Sequence, residues 1–399
     1  MKFGAADLQM QQGVNRLSGA TLTSAAAGAQ PAYQWLLSAH SIQALAAYRQ
    51  HLIDNGLAEA GAFLQAALSE ETEKTEETKE GEEANGAAGG RAVVSELSQA
   101  EFLERLINTK RPQYFAESAV YGDGRDWNQT ELSLLGDLGV AVPVWVFDDG
   151  RHHSPALHAQ PLDATLLFIS GALLRNGRGC VPADWAAVTR DRQLDPAGYY
   201  ALYARRLQPL LDYVNADALA RGQGAVITIP GLGCGQFAGP FAGTLGESLK
   251  KALMALLEQQ AEHLPQIRMI YYDPYTECSN QRHEFGTLSL LVRPLLQGNA
   301  DKTQLCPPER YAEPGDDLSH CRLYSLVAWD PVSWPGNDFW AGARITDDGV
   351  KAAASDLMRA ITGVEGHYDA QTHGYQPPAP YANWEALAQQ RQTRLRFHQ

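Results

Sequence analysis

The sequence predicts an α/β fold in three layers, with a mixed, mainly parallel sheet between helices and a small helical appendage at the N-terminus. Three observations predict it. From about Pro112, short apolar or β-branched runs alternate with longer segments whose apolar residues recur at helical spacing. One run, residues 225–229 (AVITI), is followed by the glycine-rich stretch PGLGCGQFAGPFAG and then by a helix. Another, residues 323–329, leads into WDPVSWPGNDFWAGARITDDGV, in which Asp330, Asp338 and Asp348 are spaced along a loop rich in Gly, Pro and Trp.

The first thirty residues are rich in Gln, Ala, Gly and Ser and read as loose. Residues 31–55 read as a helix with Trp35, Ile42, Leu45, Tyr48 and Leu52 on one side and Gly56 just past its end. A second helix over 57–68 completes an appendage of residues 1–68, expected to pack or to contact a partner. Residues 69–92 are polar and repetitive. Eight Glu and two Lys fall between 70 and 83, so this stretch reads as a disordered acidic linker, or alternatively as an exposed acidic helix.

The main domain is expected over 93–365. Ser98 with Glu101 caps a helix carrying Phe102, Leu103 and Leu106. Strands are expected at 142–147, 164–169, 225–229, 266–272, 287–292 and 323–329, and helices at 128–138, 196–220, 244–262 and 348–362. Asp195 before Pro196 starts the second of these helices, which Pro209 would kink or divide. Thr244 and Glu247 suggest a capping box for the third, and Gly363 a stop for the fourth. Residues 366–399 form a tail with a helix over 384–396.

Composition narrows the partners. The net charge of −14 argues against nucleic acid and against an anionic membrane. Five cysteines without a C-x-x-C pair point away from a disulfide framework or zinc site and towards a reducing compartment. His152, His153 and His158 have no accompanying H-E-x-x-H and read as a polar loop, so no metal is assigned. No run of 18 apolar residues and no signal-like segment near Met1 occurs, so a soluble cytoplasmic protein is expected.

Two constellations carry chemistry. Strand, glycine-rich loop, helix is an arrangement that cradles phosphate: Gly231, Gly233 and Gly235 let backbone N–H groups approach oxygens, and the helix start favours negative charge. It lacks the G-K-[ST] of a Walker loop and the spacing of a dinucleotide fingerprint. The acidic loop follows a strand expected to be buried, where open α/β sheets bind ligands. Taken singly, Asp347 or Asp348 could be a helix cap and Asp338 a turn residue. Together with Trp334, Phe339 and Trp340 they suggest a ligand edge on which aromatics stack.

The glycine loop and the W-D-P…P-G-N-D…T-D-D-G acidic loop resemble those of macrodomains, and within them the arginine-specific ADP-ribosylhydrolase class found among bacterial effectors. The resemblance covers roughly residues 112–365. It implies a macrodomain-like fold and a hydrolase that removes mono-ADP-ribose from arginine side chains, with Asp330, Asp338 and Asp348 catalytic. It needs no cofactor; ADP-ribose is ligand and product. By the same resemblance the diphosphate lies on the 231–239 backbone, including Gly231, Gly233, Cys234, Gly235, Gln236 and Phe237. The distal ribose faces the acidic loop, walled by Trp334 and Phe339 beside Asn337. Gly171 and Ala172 stand in the early loop where macrodomains carry an Asn-bearing ribose segment. This chain has no Asn-Ala-Ala-Asn there, Asn176 being the nearest amide, and the departure shifts weight to the aspartates. The implied partner is an ADP-ribosylated protein, with ubiquitin a candidate, and secretion into a host cell is implied in the same way. A non-catalytic ADP-ribose reader and a metal-dependent glycohydrolase holding magnesium on the T-D-D acids are the alternatives.

Overall fold

The computed structural model describes residues 33–76 and 93–397. The stretch expected to be loose and most of the acidic linker fall on residues 1–32 and 77–92, outside the described residues. An eight-stranded sheet runs in the order β1 (Gln34–Leu36), β2 (Gly139–Asp148), β3 (Leu157–Ile169), β10 (Cys321–Ala328), β6 (Gly224–Pro230), β7 (Ile267–Asp273), β9 (Leu288–Val292), β8 (Gln281–Phe285). β4 (Thr189–Arg190) and β5 (Gln193–Leu194) form a separate small hairpin. The five central strands, β3, β10, β6, β7 and β9, are parallel, and antiparallel strands close both edges.

Alternate residues along a strand face opposite sides of a sheet, and both sides here are covered. Leu167 and Ile169 of β3 and Ile227 and Ile229 of β6 pack against Leu207 and Leu210 of α6 (Pro196–Arg221) and Leu249 and Leu253 of α7 (Leu245–Gln260). Leu166, Phe168, Leu323 and Val327 join the opposite core. That layer holds α1 (Ala39–Asn55), α2 (Ala62–Glu76), α3 (Gln99–Ile107) and α4 (Gln129–Gly136), followed by α8 (Asp347–Ala353), α9 (Leu357–Thr362) and α10 (Trp384–Arg391). The short α5 (Trp185–Val188) precedes the small hairpin. The fold is thus the three-layer α/β sandwich that the alternating pattern predicts.

Local chemistry sets several boundaries. Ser98 and Asn128 each make a full capping box, with Glu101 and Glu131. Asp195 caps α6, which runs unbroken through Pro209 to the left-handed Gly222. Other boundaries depart from the sequence pattern for tertiary reasons. Residues 34–36 are a strand, because they pair with β2, and α1 starts only after Ser38, whose side chain accepts the Ser41 N–H at 3.0 Å. Thr244 makes no capping bond; instead Glu277 Oε2 accepts the N–H of Gly246 at 2.7 Å. The helix expected over 348–362 breaks into α8 and α9 because residues 354–356 line the edge of β2: Phe147 N–H donates to Ala354 O at 2.8 Å and Asp356 N–H to Trp145 O at 3.1 Å.

The N-terminal and C-terminal segments are both built into the main body. Trp35, Leu45, Leu52 and Phe102 share a core with Phe168 and Trp329. Beyond residue 366 the chain forms a hairpin, β11 (His367–Asp369) with β12 (Gly374–Gln376), and α10 ends at Arg391. Tyr368 and Tyr375 stack on Phe147, and Trp384 stacks on Tyr375.

Candidate functional site

Three loops leave the carboxyl ends of the adjacent parallel strands β3, β10 and β6: residues 170–177, 329–346 and 231–244. The first and third touch at the backbone, since a Cβ on Gly171 would land on the backbone of Leu232 and Gly233. The buried Tyr203 hydroxyl ties them, accepting the Ala172 N–H at 3.1 Å and donating to Leu232 O at 2.6 Å. Leu174 N–H adds a bond to Phe237 O. Below them Arg206, 1% exposed, donates to Gly171 O at 2.9 Å and pairs with Asp184 and Asp137. A buried cation survives only with such partners. Gly136 leaves room for its guanidinium.

In the glycine loop, the N–H groups of Gly233, Gly235 and Gln236 meet no acceptor among the described residues. Gly233 sits at φ +72°, and the space beside Gly235 is open. A cleft of about 540 Å³ opens here, lined by Arg175, Gly235, Gln236, Gly239 and Ala242, with Arg175 donating to Gln236 Oε1 at 2.9 Å. Free N–H groups beside an exposed guanidinium are suited to phosphate oxygens. Phe237 is half-buried against the core. The Cys234 thiol is pushed up by burial, so it is held as a thiol and is a poor nucleophile.

All three aspartates are buried, Asp330 5%, Asp338 6% and Asp348 1% exposed, which marks them as more than surface charges. Asp330, two residues past β10, accepts the N–H of Ala116 at 2.9 Å and of Val332 at 3.0 Å; burial pushes its carboxyl up to about 7 despite these bonds. Asp338 accepts the Thr346 hydroxyl and the Ile345 N–H, the latter at 2.8 Å. Asp348 accepts the Gly336 N–H at 2.7 Å on Oδ1, while its Oδ2 is buried without a partner among the described residues. Burial first, then the charges of Asp338, Asp347 and Asp330, push the Asp348 carboxyl well above the ordinary range. Buried polar atoms without partners among the described residues include Ser170 Oγ, Trp329 Nε1 and Asn337 Oδ1 on these loops, Asp348 Oδ2 at the start of α8 and Glu117 Oε2 on the segment after α3. Native interiors rarely leave such atoms unmade, and a ligand site is one place where they do.

Two sequence expectations are corrected, the exposure of the aromatics and the cap of α8. Trp334 and Phe339 are 8% and 2% exposed, Trp334 donates its Nε1–H to Lys110 O, and its ring meets Trp340 edge-on. Apolar area on this loop is used to bury the loop itself. The cap of α8 is Thr346, whose side chain accepts the Gly349 N–H, and neither Asp347 nor Asp348. Asp347 instead accepts the Ala328 N–H at 2.8 Å and pairs with the buried Lys351.

Sequence reasoning missed Lys110, Glu117 and Arg175. The first two lie on a segment after α3 that runs beside the acidic loop: Arg111 N–H donates to Val332 O at 2.9 Å and Trp334 N–H to Arg111 O at 2.7 Å. Lys110 Nζ lies 3.9 Å from the Trp329 ring centre and donates to Pro331 O, and burial lowers its ammonium to about 7. No local motif marks these residues. Arg175, four residues after Gly171, could have been found as a lone basic group in an otherwise apolar strand-end loop.

A family model described as macrodomain effector MavL matches residues 33–381. The chain belongs to the MavL macrodomain effector family. The family is one of macrodomains, whose function is related to ADP-ribose, and the match spans the N-terminal helical layer as well as the sheet. No curated protein matches the chain. In this MavL-family macrodomain, no helix among the described residues is long and apolar enough to cross a membrane.

Proposed function

We propose that the protein hydrolyses mono-ADP-ribose from arginine side chains of modified proteins, with ADP-ribosylated ubiquitin in a host cell as the first substrate to test. The observation that carries this reading is the set of three buried carboxylates beside a phosphate-suited glycine loop, with no ion pair to any of the three among the described residues. Arg344 and Lys351 of the same region are engaged elsewhere, on Asp148 and on Asp347, and Lys110 Nζ donates to Pro331 O. A cationic, donor-rich group such as a substituted guanidinium is the complement of such a site.

In this reading the diphosphate lies on the N–H groups of Gly233, Gly235 and Gln236 near Arg175. The C1″–N bond breaks through an oxocarbenium-like state that the carboxylates stabilise. Its electron pair goes to the guanidine nitrogen, which takes a proton from Asp348, the acid whose carboxyl burial pushes up. Water adds at C1″ and gives its surplus proton to Asp330, whose value near 7 suits a base at neutral pH. Asp338 supplies fixed negative charge and orients the loop through Ile345 and Thr346.

Incubation with arginine-, serine- and glutamate-linked ADP-ribosyl substrates, each with and without EDTA, tests the proposal. Release of ADP-ribose from the arginine linkage alone, undiminished by chelator, is expected. Binding without release would make the protein a reader, and loss with EDTA would replace the carboxylate mechanism with a metal-dependent one.

A further inference from the structure

The segment that carries Glu117 is held between two of the three site loops. Ala116, its chain neighbour, donates its N–H to Asp330 Oδ2 at 2.9 Å, and Glu117 O accepts the N–H of Gly177 from the loop after β3. A Cβ on Gly177 would lie 3.0 Å from Ser118 Cα, so the two segments run in contact. Glu117 is 6% exposed; Oε1 receives only the Ser118 hydroxyl at 3.2 Å, and Oε2 receives nothing among the described residues.

A structural glutamate in the same protein looks different. Glu131, fully buried, receives the Tyr48 hydroxyl at 2.6 Å and the Gly61 N–H at 2.8 Å on one oxygen and the Asn128 N–H at 3.1 Å on the other. Both of its oxygens are engaged in bracing the N-terminal layer. Glu117 braces through its backbone and leaves its carboxylate for something else. Asn337 Oδ1 is a second orphaned acceptor of the same loop system, so the side chains ask for more than one donor. An arginine guanidinium has five N–H donors in a planar fork and keeps four when one nitrogen carries the ribose, whereas serine and glutamate linkages bring none.

We propose that Glu117 accepts the guanidinium of the target arginine and thereby selects arginine-linked ADP-ribose. The inference rests on the reading of the site as an ADP-ribosylarginine hydrolase and adds the residue that reads the linkage.

The test uses agmatine as a guanidinium probe, titrated calorimetrically into protein saturated with ADP-ribose, beside kinetics on the arginine-linked substrate. Glu117→Gln keeps the shape and removes the charge. It should weaken agmatine binding and raise KM by about tenfold or more, the scale of one lost charge-assisted hydrogen bond, while ADP-ribose affinity stays within about twofold, as a merely structural loss would not allow. Glu117→Asp, with the charge set back by one methylene, should fall between and serves if the Gln variant folds poorly. Unchanged agmatine binding and KM in both variants overturn the role of Glu117 while leaving the hydrolase reading intact. A wild-type protein that cleaves serine linkages and not arginine linkages overturns that reading, and this inference with it.

Discussion

The carboxylate of Asp338 occupies the place a side chain on Gly349 would need. A Cβ there would lie 2.5 Å from Asp338 Cγ and closer still to Oδ1. Asp338 cannot retreat freely, because Thr346 and Ile345 hold its two oxygens. Alanine in a helix ordinarily gains about 0.5–1 kcal/mol over glycine, but here it must displace an acid. Gly349→Ala should therefore lower turnover about tenfold or more while the fold persists, measured by kcat beside Tm. Normal turnover would show that the position of Asp338 is not critical.

Asp338→Asn and Asp348→Asn should each lose at least ~10²-fold in rate, because both keep shape while the first removes charge and the second the proton to be transferred. Asp347→Asn should behave differently. It keeps an acceptor for the Ala328 N–H but removes the charge facing buried Lys351, so its loss should appear as a lower Tm more than as a lower kcat. An Asp347→Asn protein that is stable and inactive would exchange the roles of the two neighbouring acids.

The pH profile should carry the signature of Asp330. If its carboxylate takes the proton from water, kcat rises as pH increases through about 7. The Lys110 ammonium favours that carboxylate, so Lys110→Met should move the inflection to higher pH. Stability has the opposite sign: the folded carboxyl binds its proton more tightly than the ordinary value of 3.8, so stability falls as pH rises from about 4 to about 7. Asp330→Asn should flatten both slopes. An inflection unmoved in both variants would assign it to another group.

The glycine loop offers a paired comparison. Gly235→Glu enters open space, so it should fold normally and abolish ADP-ribose binding through bulk and charge at the N–H groups beside it. Gly171→Ala meets the Gly233 backbone and should lower Tm. Full ADP-ribose affinity in folded Gly235→Glu would place the diphosphate elsewhere.

Trp334→Ala and Phe339→Ala should each cost about 3–5 kcal/mol of stability, as truncations of buried aromatics do. Phe339 also packs where a Cβ on Gly374 would lie 3.2 Å from its ring, so its loss should loosen the C-terminal hairpin. Denaturant titration checks this. Unchanged stability would return these rings to the ligand edge that their neighbourhood in the sequence suggests.

The sequence by itself determined the central strands and placed candidate acids and glycines at their ends. β-branched runs, the Asp195–Pro196 start and the Ser98 and Asn128 boxes are local signals that need no partner to act, and the spacing of Asp330, Asp338 and Asp348 is visible without a fold. Tertiary structure decided what those signals mean together. Whether Trp334 faces ligand or core, whether Thr346 or an aspartate caps α8, and where the helix after Asp347 breaks all depend on which surface packs against which. The same holds for Lys110 and Glu117, which stand some 210 residues or more before Asp330 in the chain and reach the site because a segment after α3 pairs with the acidic loop. Non-local backbone pairing leaves no period or motif in the sequence, so only the folded chain brings those charges to the acids they influence.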